Sequence, residues 1–331
     1  MKKDFTIDIN KRRLIDGPID KLMCVSPLKH TWAREVWKVM CANSWFPAEI
    51  DLSRDVKQYR TLTDSEKWAY DKGLAFLSNL DGIQLNNLTG NIGRYITSPE
   101  VNMCITRQAF EEANHVDSYA TMIEAISANP HDIYMMFARD GVLSKKNDYI
   151  MRQSEILGEE YTPRNFALAV VANIILEGIY FYSGFLTFYT LANSGKMLGS
   201  ADMIRFIQRD ELVHLSLFVR MFETLRVENP EIFDESFFEA VNVLFKEAVE
   251  LEASWGKYLI KGGILGLTDT IIDGYMQWLA DERLKLMGLP KIYGTKNPVE
   301  WVVEFSNING EESNFFESKV KSYSAGGALA W

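Results

Sequence analysis

The sequence has few cysteines, the residues that build disulfide frameworks and sulfur-based metal sites. Its 331 residues include three, Cys24, Cys41 and Cys104, which is an odd number and forms no metal-type cluster. A disulfide scaffold is therefore not expected, and the pattern is typical of a reducing compartment. Residues 1–8 also lack an apolar signal segment. The sequence predicts a cytoplasmic protein.

An excess of positive charge is also missing. The chain has 35 Lys and Arg against 45 Asp and Glu, which gives a net charge of −10, and it contains no basic run. Broad electrostatic binding to nucleic acid is therefore not expected. Part of the negative charge is predicted to lie inside the protein, as carboxylates that bound metal ions would neutralise.

Proline and glycine number only 9 and 21, and most of them fall between long periodic segments. This distribution predicts an all-α protein. Capping residues predict where five helices start: Ser26-Pro27, Thr63, Ser98-Pro99, Thr162-Pro163 and Ser200. Residues 131–161 are predicted to be a shorter helical region with a charged loop. Two later amphipathic helices, Glu235–Leu259 and Thr268–Met287, carry no comparable polar cluster and are interpreted as scaffold.

Histidine is scarce, which makes its placement informative. The four are His30, His115, His131 and His214. His115 and His214 each stand three residues after a glutamate, in Glu112/His115 and Glu211/His214, so each pair shares one helical face. A Glu-x-x-His from each of two helices is the ligand pattern of a carboxylate-bridged dimetal site in a helical bundle. Glu111 is a competing ligand by spacing, and the match to Glu211/His214 favours Glu112.

Two more carboxylates stand where apolar residues are expected. Asp81 lies on the leucine stripe of its predicted helix, and Glu177 is the only charged residue between Phe166 and Ala192. That segment is apolar enough to span a membrane. However, Asn173 and Ser183 interrupt it, and a helix surrounded by other helices is equally apolar. We expect a buried core helix, in which a lone carboxylate needs a partner or a metal.

Together these positions define a candidate site on four helices. The predicted metal ligands are Asp81, Glu112, His115, Glu177, Glu211 and His214. Four carboxylates balance the charge of two divalent ions, and oxygen ligands with imidazole favour iron or manganese. Tyr119 lies one turn beyond His115 on the same face, close enough for a one-electron oxidation of its phenol. His131 has no carboxylate at ligand spacing before it and is interpreted as a surface residue.

The last residues of the sequence are glycine-containing and non-periodic, with an apolar tip. One interpretation is a frayed terminus. The other is a flexible tether whose Leu329 and Trp331 dock on a partner.

These residues resemble the small (beta) subunit of class I ribonucleotide reductase over nearly the whole chain. The resemblance implies a ferritin-like helical bundle, usually a homodimer, in which the six positions above hold the two metals and Tyr119 carries the radical. It implies an apolar pocket of Phe181, Phe185 and Ile207 around the radical. It further implies that Trp45 and Asp210, hydrogen-bonded in series with His115, transfer the radical, and that Tyr323 in the tail passes it to the large subunit.

Some stretches, notably Phe110-Glu111-Glu112 and Leu329-Ala330-Trp331, are most similar to the chlamydial-type branch of that family. The branch has phenylalanine at the radical position, glutamate as the first ligand, and a mixed manganese–iron centre. Tyr119 and Asp81 depart from it, and the departure favours a tyrosyl radical on a diiron centre. Manganese accepts the same ligands, so Mn/Fe and Mn/Mn centres stay open.

Residues 1–25 have no sustained period and are predicted to form an N-terminal arm. The resemblance implies that a ferritin-like helical domain (26–310) and a C-terminal tail (311–331) that docks on the large subunit follow it. Two alternatives use the same kind of site. A diiron oxidase or oxygenase would oxidise a substrate without a partner and would not need Tyr323. An iron-storage protein would not need the pocket around Tyr119.

Overall fold

The computed structural model describes residues 8–19, 22–261, 263–264 and 266–306. Over these residues the chain is helical, and the one β-contact is an isolated antiparallel bridge between Ile15 and Ile96. The all-α prediction is confirmed. The α-helices are α1 Thr31–Ala42, α2 Ser53–Tyr59, α3 Asp64–Gly90, α4 Pro99–Ile126, α5 Pro130–Tyr134, α6 Met136–Arg139, α7 Gly141–Glu159, α8 Pro163–Ile175, α9 Tyr182–Asn193, α10 Leu198–Glu228, α11 Glu235–Leu259, α12 Asp269–Leu286 and α13 Trp301–Ser306.

Two long helices, α3 and α4, begin where the sequence predicts. Thr63 accepts a hydrogen bond from the backbone N–H of Glu66, whose side chain bonds the Thr63 N–H in return, so the capping box is present. Pro99 occupies the first position of α4. Both helices bury long apolar stripes with polar residues at mid-length. The local signals are strong enough here to set both starting points.

The predicted start of α1 at Ser26-Pro27 is wrong. The helix begins at Thr31, with His30 as its N-cap. The backbone N–H groups of Lys29 and His30 donate to Glu100 Oε1, at 2.9 and 2.7 Å. These hydrogen bonds to α4 hold the residues before Thr31 outside the helix. Glu100 lies 70 residues from His30 in the chain, so capping and periodicity signals near His30 do not predict the contact. The short helix α2 is also absent from the prediction.

The apolar segment from Pro163 to Asn193 is long and apolar enough to cross a membrane, but 89% of its most apolar stretch is buried inside the protein. It is therefore a core helix, as expected. It is not one continuous α-helix, because a π turn at Leu176–Tyr180 separates α8 from α9. Thr162 caps its start by accepting from the Asn165 N–H. Glu177 lies in the π turn, which the sequence analysis does not predict.

A buried polar cluster joins the described part of the N-terminal segment to α4 and α10. His30 is 5% exposed, and its Nε2 lies 2.9 Å from Glu228 while its Nδ1 lies 2.9 Å from Ser98 Oγ. Glu100 also accepts its backbone N–H. Burial alone lowers the pKa of His30, but hydrogen bonds to Glu100 and Glu228 outweigh it and raise that pKa above its ordinary value. His30 is thus a structural residue, tied by two carboxylates.

We expect His30→Gln to destabilise the metal-free chain at pH 6 and to matter less at pH 9. A histidine whose pKa is raised by folding stabilises below its unfolded pKa of about 6.5, and this stabilisation is lost as pH rises through the folded pKa. Breaking the buried pairs costs on the order of 3 kcal/mol at the lower pH. Thermal unfolding at the two pH values measures the effect. His131→Gln is the control, because His131 is exposed. An equal loss for His30→Gln at both pH values would contradict the prediction.

Candidate metal centre

Four helical segments bring the predicted ligands together in the core. Asp81 comes from α3, Glu112 and His115 from α4, Glu177 from the π turn, and Glu211 and His214 from α10. All six side chains are completely buried. They form two overlapping groups whose ligand atoms lie within 4.8 Å of one another: Asp81, Glu112, His115 and Glu211, and Glu112, Glu177, Glu211 and His214. Glu112 and Glu211 belong to both groups and therefore lie between two candidate metal positions.

Both histidines present Nδ1 to the carboxylates. His115 Nδ1 lies 3.0 Å from Glu211 Oε1 and 3.7 Å from Asp81 Oδ2. His214 Nδ1 lies 2.9 Å from Glu211 Oε2 and 3.9 Å from Glu177 Oε2. The i to i+3 spacing of each Glu-x-x-His thus produces the same local arrangement twice, with one imidazole on either side of Glu211.

Four carboxylates and two imidazoles of this cluster are buried away from bulk solvent. Burial raises the pKa of Asp81 and Glu177 well above the usual range, and the neighbouring Glu112 and Glu211 raise it further. Burial acts the same way on Glu211, but the imidazoles of His214 and His115 outweigh it and hold the pKa of Glu211 below its ordinary value. Like charges at this distance need a compensating cation or protons.

Several atoms that face the cluster make no hydrogen bond of good geometry with the described residues, although two of them, His115 Nδ1 and Glu211 Oε1, lie 3.0 Å apart. The full set is both carboxylate oxygens of Asp81, Glu112 Oε2, Glu177 Oε2, Glu211 Oε1 and His115 Nδ1. Buried polar atoms in native proteins are otherwise almost always bonded. Unpartnered carboxylate oxygens and an imidazole nitrogen that converge at metal-ligand spacing fit a pair of divalent ions, and the donor set is that of iron or manganese.

A layer of amides surrounds Glu177. Gln108 Nε2 donates to Glu177 Oε1 at 2.7 Å, and Gln84 Nε2 donates to the same oxygen. Gln84 also bonds Asn173 Oδ1 at 3.0 Å. These amides fix one oxygen of the carboxylate and leave the other, Oε2, facing the cluster. The sequence places Gln84 and Gln108 on inward stripes without indicating this role.

The competing ligand Glu111 lies outside the cluster. Its Oε2 is 2.9 Å from His214 Nε2, on the side of the ring away from the carboxylates. Its Oε1 accepts from Arg107 Nε at 3.0 Å. An outer carboxylate of this kind orients a ligating histidine and fixes its tautomer. Spacing alone does not separate Glu111 from Glu112, because both lie within one turn of His115.

Tyr119 is fully buried, and its hydroxyl has no hydrogen-bond partner in the described part of the chain. Burial, and then the carboxylates of Asp81, Glu211 and Glu112, raise the pKa of the phenol well above its ordinary value. Phe181, Phe185 and Ile207 are buried as well. The ring is thus buried in the protein interior, away from bulk solvent, and the carboxylates of the cluster act on it electrostatically.

A series of hydrogen-bonding side chains leads from His115 of the cluster, through Asp210, to Trp45. Trp45 Nε1 donates to Asp210 Oδ2 at 2.7 Å, and the same oxygen lies 3.3 Å from His115 Nε2. Arg209 donates to the other oxygen, Oδ1. Trp45, 4% exposed, stacks on Phe206 with ring centroids 5.1 Å apart. Tyr323, the tail residue of the predicted path, lies outside the described residues.

Comparisons with known proteins identify the family to which this chain is similar. The family model described as "Ribonucleotide reductase, small chain" matches residues 22–298. The beta subunit of ribonucleoside-diphosphate reductase from Treponema pallidum is 36% identical over 98% of this chain and 93% of its own length. The beta subunit from Chlamydia pneumoniae is 30% identical over 98% of this chain and 96% of its own length.

One solved structure extends the similarity to three dimensions. The R2 subunit of ribonucleotide reductase from Clostridium botulinum has a TM-score of 0.87 and 38% sequence identity to this chain. The match covers 90% of this chain and 95% of that protein. The family-model match over residues 22–298 spans the positions of all four helical segments of the candidate site.

Proposed function

The chain belongs to the family of ribonucleotide reductase small chains, and from this premise we propose how its own residues perform the task of that family. It is the radical-generating beta subunit of a class I enzyme, with a ferritin-like bundle as its fold. It acts with a large subunit, which reduces ribonucleotides to deoxyribonucleotides. We propose ribonucleoside diphosphates as the substrates, in line with the names of its relatives.

The observation that carries the proposal is the convergence of six buried ligand side chains from four helical segments. One metal ion would be held by Asp81, Glu112, His115 and Glu211, and the other by Glu112, Glu177, Glu211 and His214. When bound, the two metals activate O₂ and supply the oxidising equivalent. We propose iron at both positions, with Mn/Fe and Mn/Mn as the alternatives. Metal analysis of natively expressed protein, with electron paramagnetic resonance of the same sample, distinguishes them.

Tyr119 is the proposed store of the oxidising equivalent. Its raised pKa keeps the phenol protonated before oxidation, so the ring loses one electron and one proton. Tyr119 would pass the electron to the bound metals and the proton to the carboxylate cluster that acts on it. The product is a neutral phenoxyl radical, which suits a buried site because no new charge has to be desolvated. Burial also keeps reductants away from the ring. Phe181, Phe185 and Ile207 are proposed to line this pocket.

Radical transfer is proposed to follow the hydrogen-bonded series of His115, Asp210 and Trp45, and then Tyr323. Asp210 accepts from the indole N–H of Trp45 and can hold its proton when the ring is oxidised. The arginine contact from Arg209 keeps Asp210 oriented. In this path the metal-ligating imidazole, the carboxylate and the indole form one continuous connection.

The assembly is proposed to be a cytoplasmic homodimer. Residues 1–25 would form an N-terminal arm, residues 26–310 the ferritin-like domain, and residues 311–331 the tail that docks on the large subunit. In the described part of the arm, Leu14 and Ile15 are buried against the bundle.

Removing one ligand tests the site. We expect Glu177→Ala, and likewise His214→Ala, to abolish stable binding of two metals per chain, because each leaves an open coordination position and unbalances the charge. The measurement is metal content after anaerobic loading with Fe(II) and removal of excess metal. Glu239→Ala, at an exposed position on α11, is the control and is expected to keep two metals. Two metals bound with unchanged affinity and spectra in Glu177→Ala would refute the proposed ligand set.

A further inference from the structure

The π turn that carries Glu177 interrupts the longest apolar segment of the fold. It spans Leu176–Tyr180, between α8 and α9. A π turn shifts the hydrogen-bond register of a helix by one residue, and such turns occur frequently at functional sites. The direction in which Glu177 leaves the helix axis therefore depends on what holds this turn in place.

Backbone groups in and beside the turn bond charged side chains from three other helices. Arg283 of α12 donates from Nε to the carbonyl oxygen of Gly178 at 3.1 Å. Lys146 of α7 donates from Nζ to the carbonyl oxygen of Tyr180 at 3.4 Å. Glu252 of α11 accepts the backbone N–H of Ser183 at 3.1 Å, and it also forms an ion pair with Lys146. The turn is thus held from outside its own helix.

These charged residues are buried. Arg283 is 8% exposed, Lys146 1% and Glu252 0%, and the ammonium of Lys146 lies 3.6 Å from the centroid of the Phe76 ring. A buried ion pair is often no more stabilising than apolar residues of similar volume. A contribution to the stability of the fold therefore does not by itself explain why three charged side chains are buried here. Their shared feature is contact with the backbone around Glu177.

Gly178 shows how close the contact is. A Cβ added to this residue would lie 2.9 Å from Cγ and 3.0 Å from Nε of Arg283, closer than real Cβ atoms normally approach other atoms. Arg283 thus packs directly on the backbone of the residue that follows Glu177. On the other side of the turn, Glu177 Oε2 faces His214 Nδ1 at 3.9 Å. A shift of the backbone at Gly178 would carry the carboxylate with it.

We propose that Arg283, supported by the Lys146–Glu252 pair, is a positioning residue that holds the π turn in the form that aims Glu177 at Glu211 and His214. The inference rests on the proposed role of Glu177 as a metal ligand. It assigns a function in the metal centre to α7, and also to α11 and α12, the two helices that the sequence pattern alone suggests are scaffold.

The test is a titration of the metal-free, full-length protein with Co(II) in the absence of O₂, followed by visible absorption. We expect Arg283→Met to lower the binding affinity for one of the two Co(II) ions by about 10- to 100-fold. The absorption spectrum of that ion should change as well. The other ion, held through Asp81 and His115, should bind as in the wild type. Arg283→Lys should restore part of the affinity, because an ammonium can still donate to the Gly178 carbonyl.

Arg226→Met is the matched control. Arg226 also donates to a backbone carbonyl, that of Met287 at 3.4 Å, but it lies 12 residues beyond His214 on α10, about 18 Å along the helix. It should leave both Co(II) ions unaffected. Gly178→Ala disturbs the same contact from the side of the backbone, because the added Cβ would meet Arg283. It should lower the affinity for the same Co(II) ion as Arg283→Met does. It decides the matter if Arg283→Met fails to fold.

Glu177→Ala separates this inference from the ligand assignment. Wild-type binding of both Co(II) ions by Glu177→Ala would mean that the ligand set itself is wrong. Loss of one ion in Glu177→Ala, with wild-type Co(II) affinity and spectrum in folded Arg283→Met or Gly178→Ala, would overturn the positioning role alone. A lower thermal unfolding temperature with unchanged Co(II) binding would likewise mean that Arg283 only stabilises the fold.

Discussion

Tyr119→Phe is expected to lose the tyrosyl radical completely while it keeps both metals and the fold. The substitution removes one hydroxyl that has no hydrogen-bond partner among the described residues, so neither packing nor a bonded network is disturbed. Phenylalanine is far harder to oxidise than tyrosine, so the ring can no longer store the oxidising equivalent. Electron paramagnetic resonance after addition of Fe(II) and O₂ measures the radical, and metal analysis of the same sample measures the site.

Tyr189→Phe is the control for this experiment. Tyr189 is also fully buried and acts electrostatically on Tyr119, but its hydroxyl bonds Gln208 at 2.5 Å. It should retain the radical. An undiminished phenoxyl signal in Tyr119→Phe would move the radical to another residue or to the metals. Absence of any radical in the wild-type protein after addition of Fe(II) and O₂ would favour the iron-storage alternative.

Tyr323→Phe is expected to stop turnover with the large subunit and to leave the Tyr119 radical in place. Tyr323 lies outside the described residues, and the prediction rests on its position in the sequence. It is the only tyrosine between Phe316 and Trp331, so it is the only phenol in that stretch for the last transfer step. Removal of its hydroxyl should not affect the metals, because all six proposed ligands lie in the bundle core. An activity assay with the cognate large subunit, beside a binding titration, measures both effects.

Deletion of residues 326–331 is expected to have the opposite result. Leu329 and Trp331 are the proposed apolar anchors, and a few apolar or aromatic residues commonly dominate the binding energy of an interface. The truncated chain should therefore bind the large subunit weakly and still form the Tyr119 radical. Full turnover by Tyr323→Phe would remove that tyrosine from the path. Unchanged binding after the deletion would mean that this tip does not dock.

Much of the fold was predictable because helical signals are local. The capping box at Thr63 and Glu66, and the start of α4 at Pro99, lie where the sequence analysis predicts them. The ligand pairs follow from the same locality, since residues three apart on a helix share a face whatever the helix packs against. Glu112/His115 and Glu211/His214 indeed lie together in the core.

Other features depend on residues that are far apart in the chain. Asp210 meets Trp45 across 165 positions, and the resemblance to a known family, not spacing, suggests that pair. The start of α1 is set by Glu100 on α4, which bonds the backbone of Lys29 and His30. Periodicity and capping rules describe one helix at a time and carry no information on such partners.

The sequence by itself determined an all-helical protein with two Glu-x-x-His helices, a lone carboxylate at Asp81 and another at Glu177. The match between the two Glu-x-x-His motifs selected Glu112 over Glu111 as a ligand. Tertiary structure decided what Glu111 does instead, because packing of α4 against α10 places its Oε2 2.9 Å from His214 Nε2. It also decided the π turn at Glu177. The groups bonded to that turn, Arg283, Lys146 and Glu252, come from three other helices, and only the packed bundle brings them to one place.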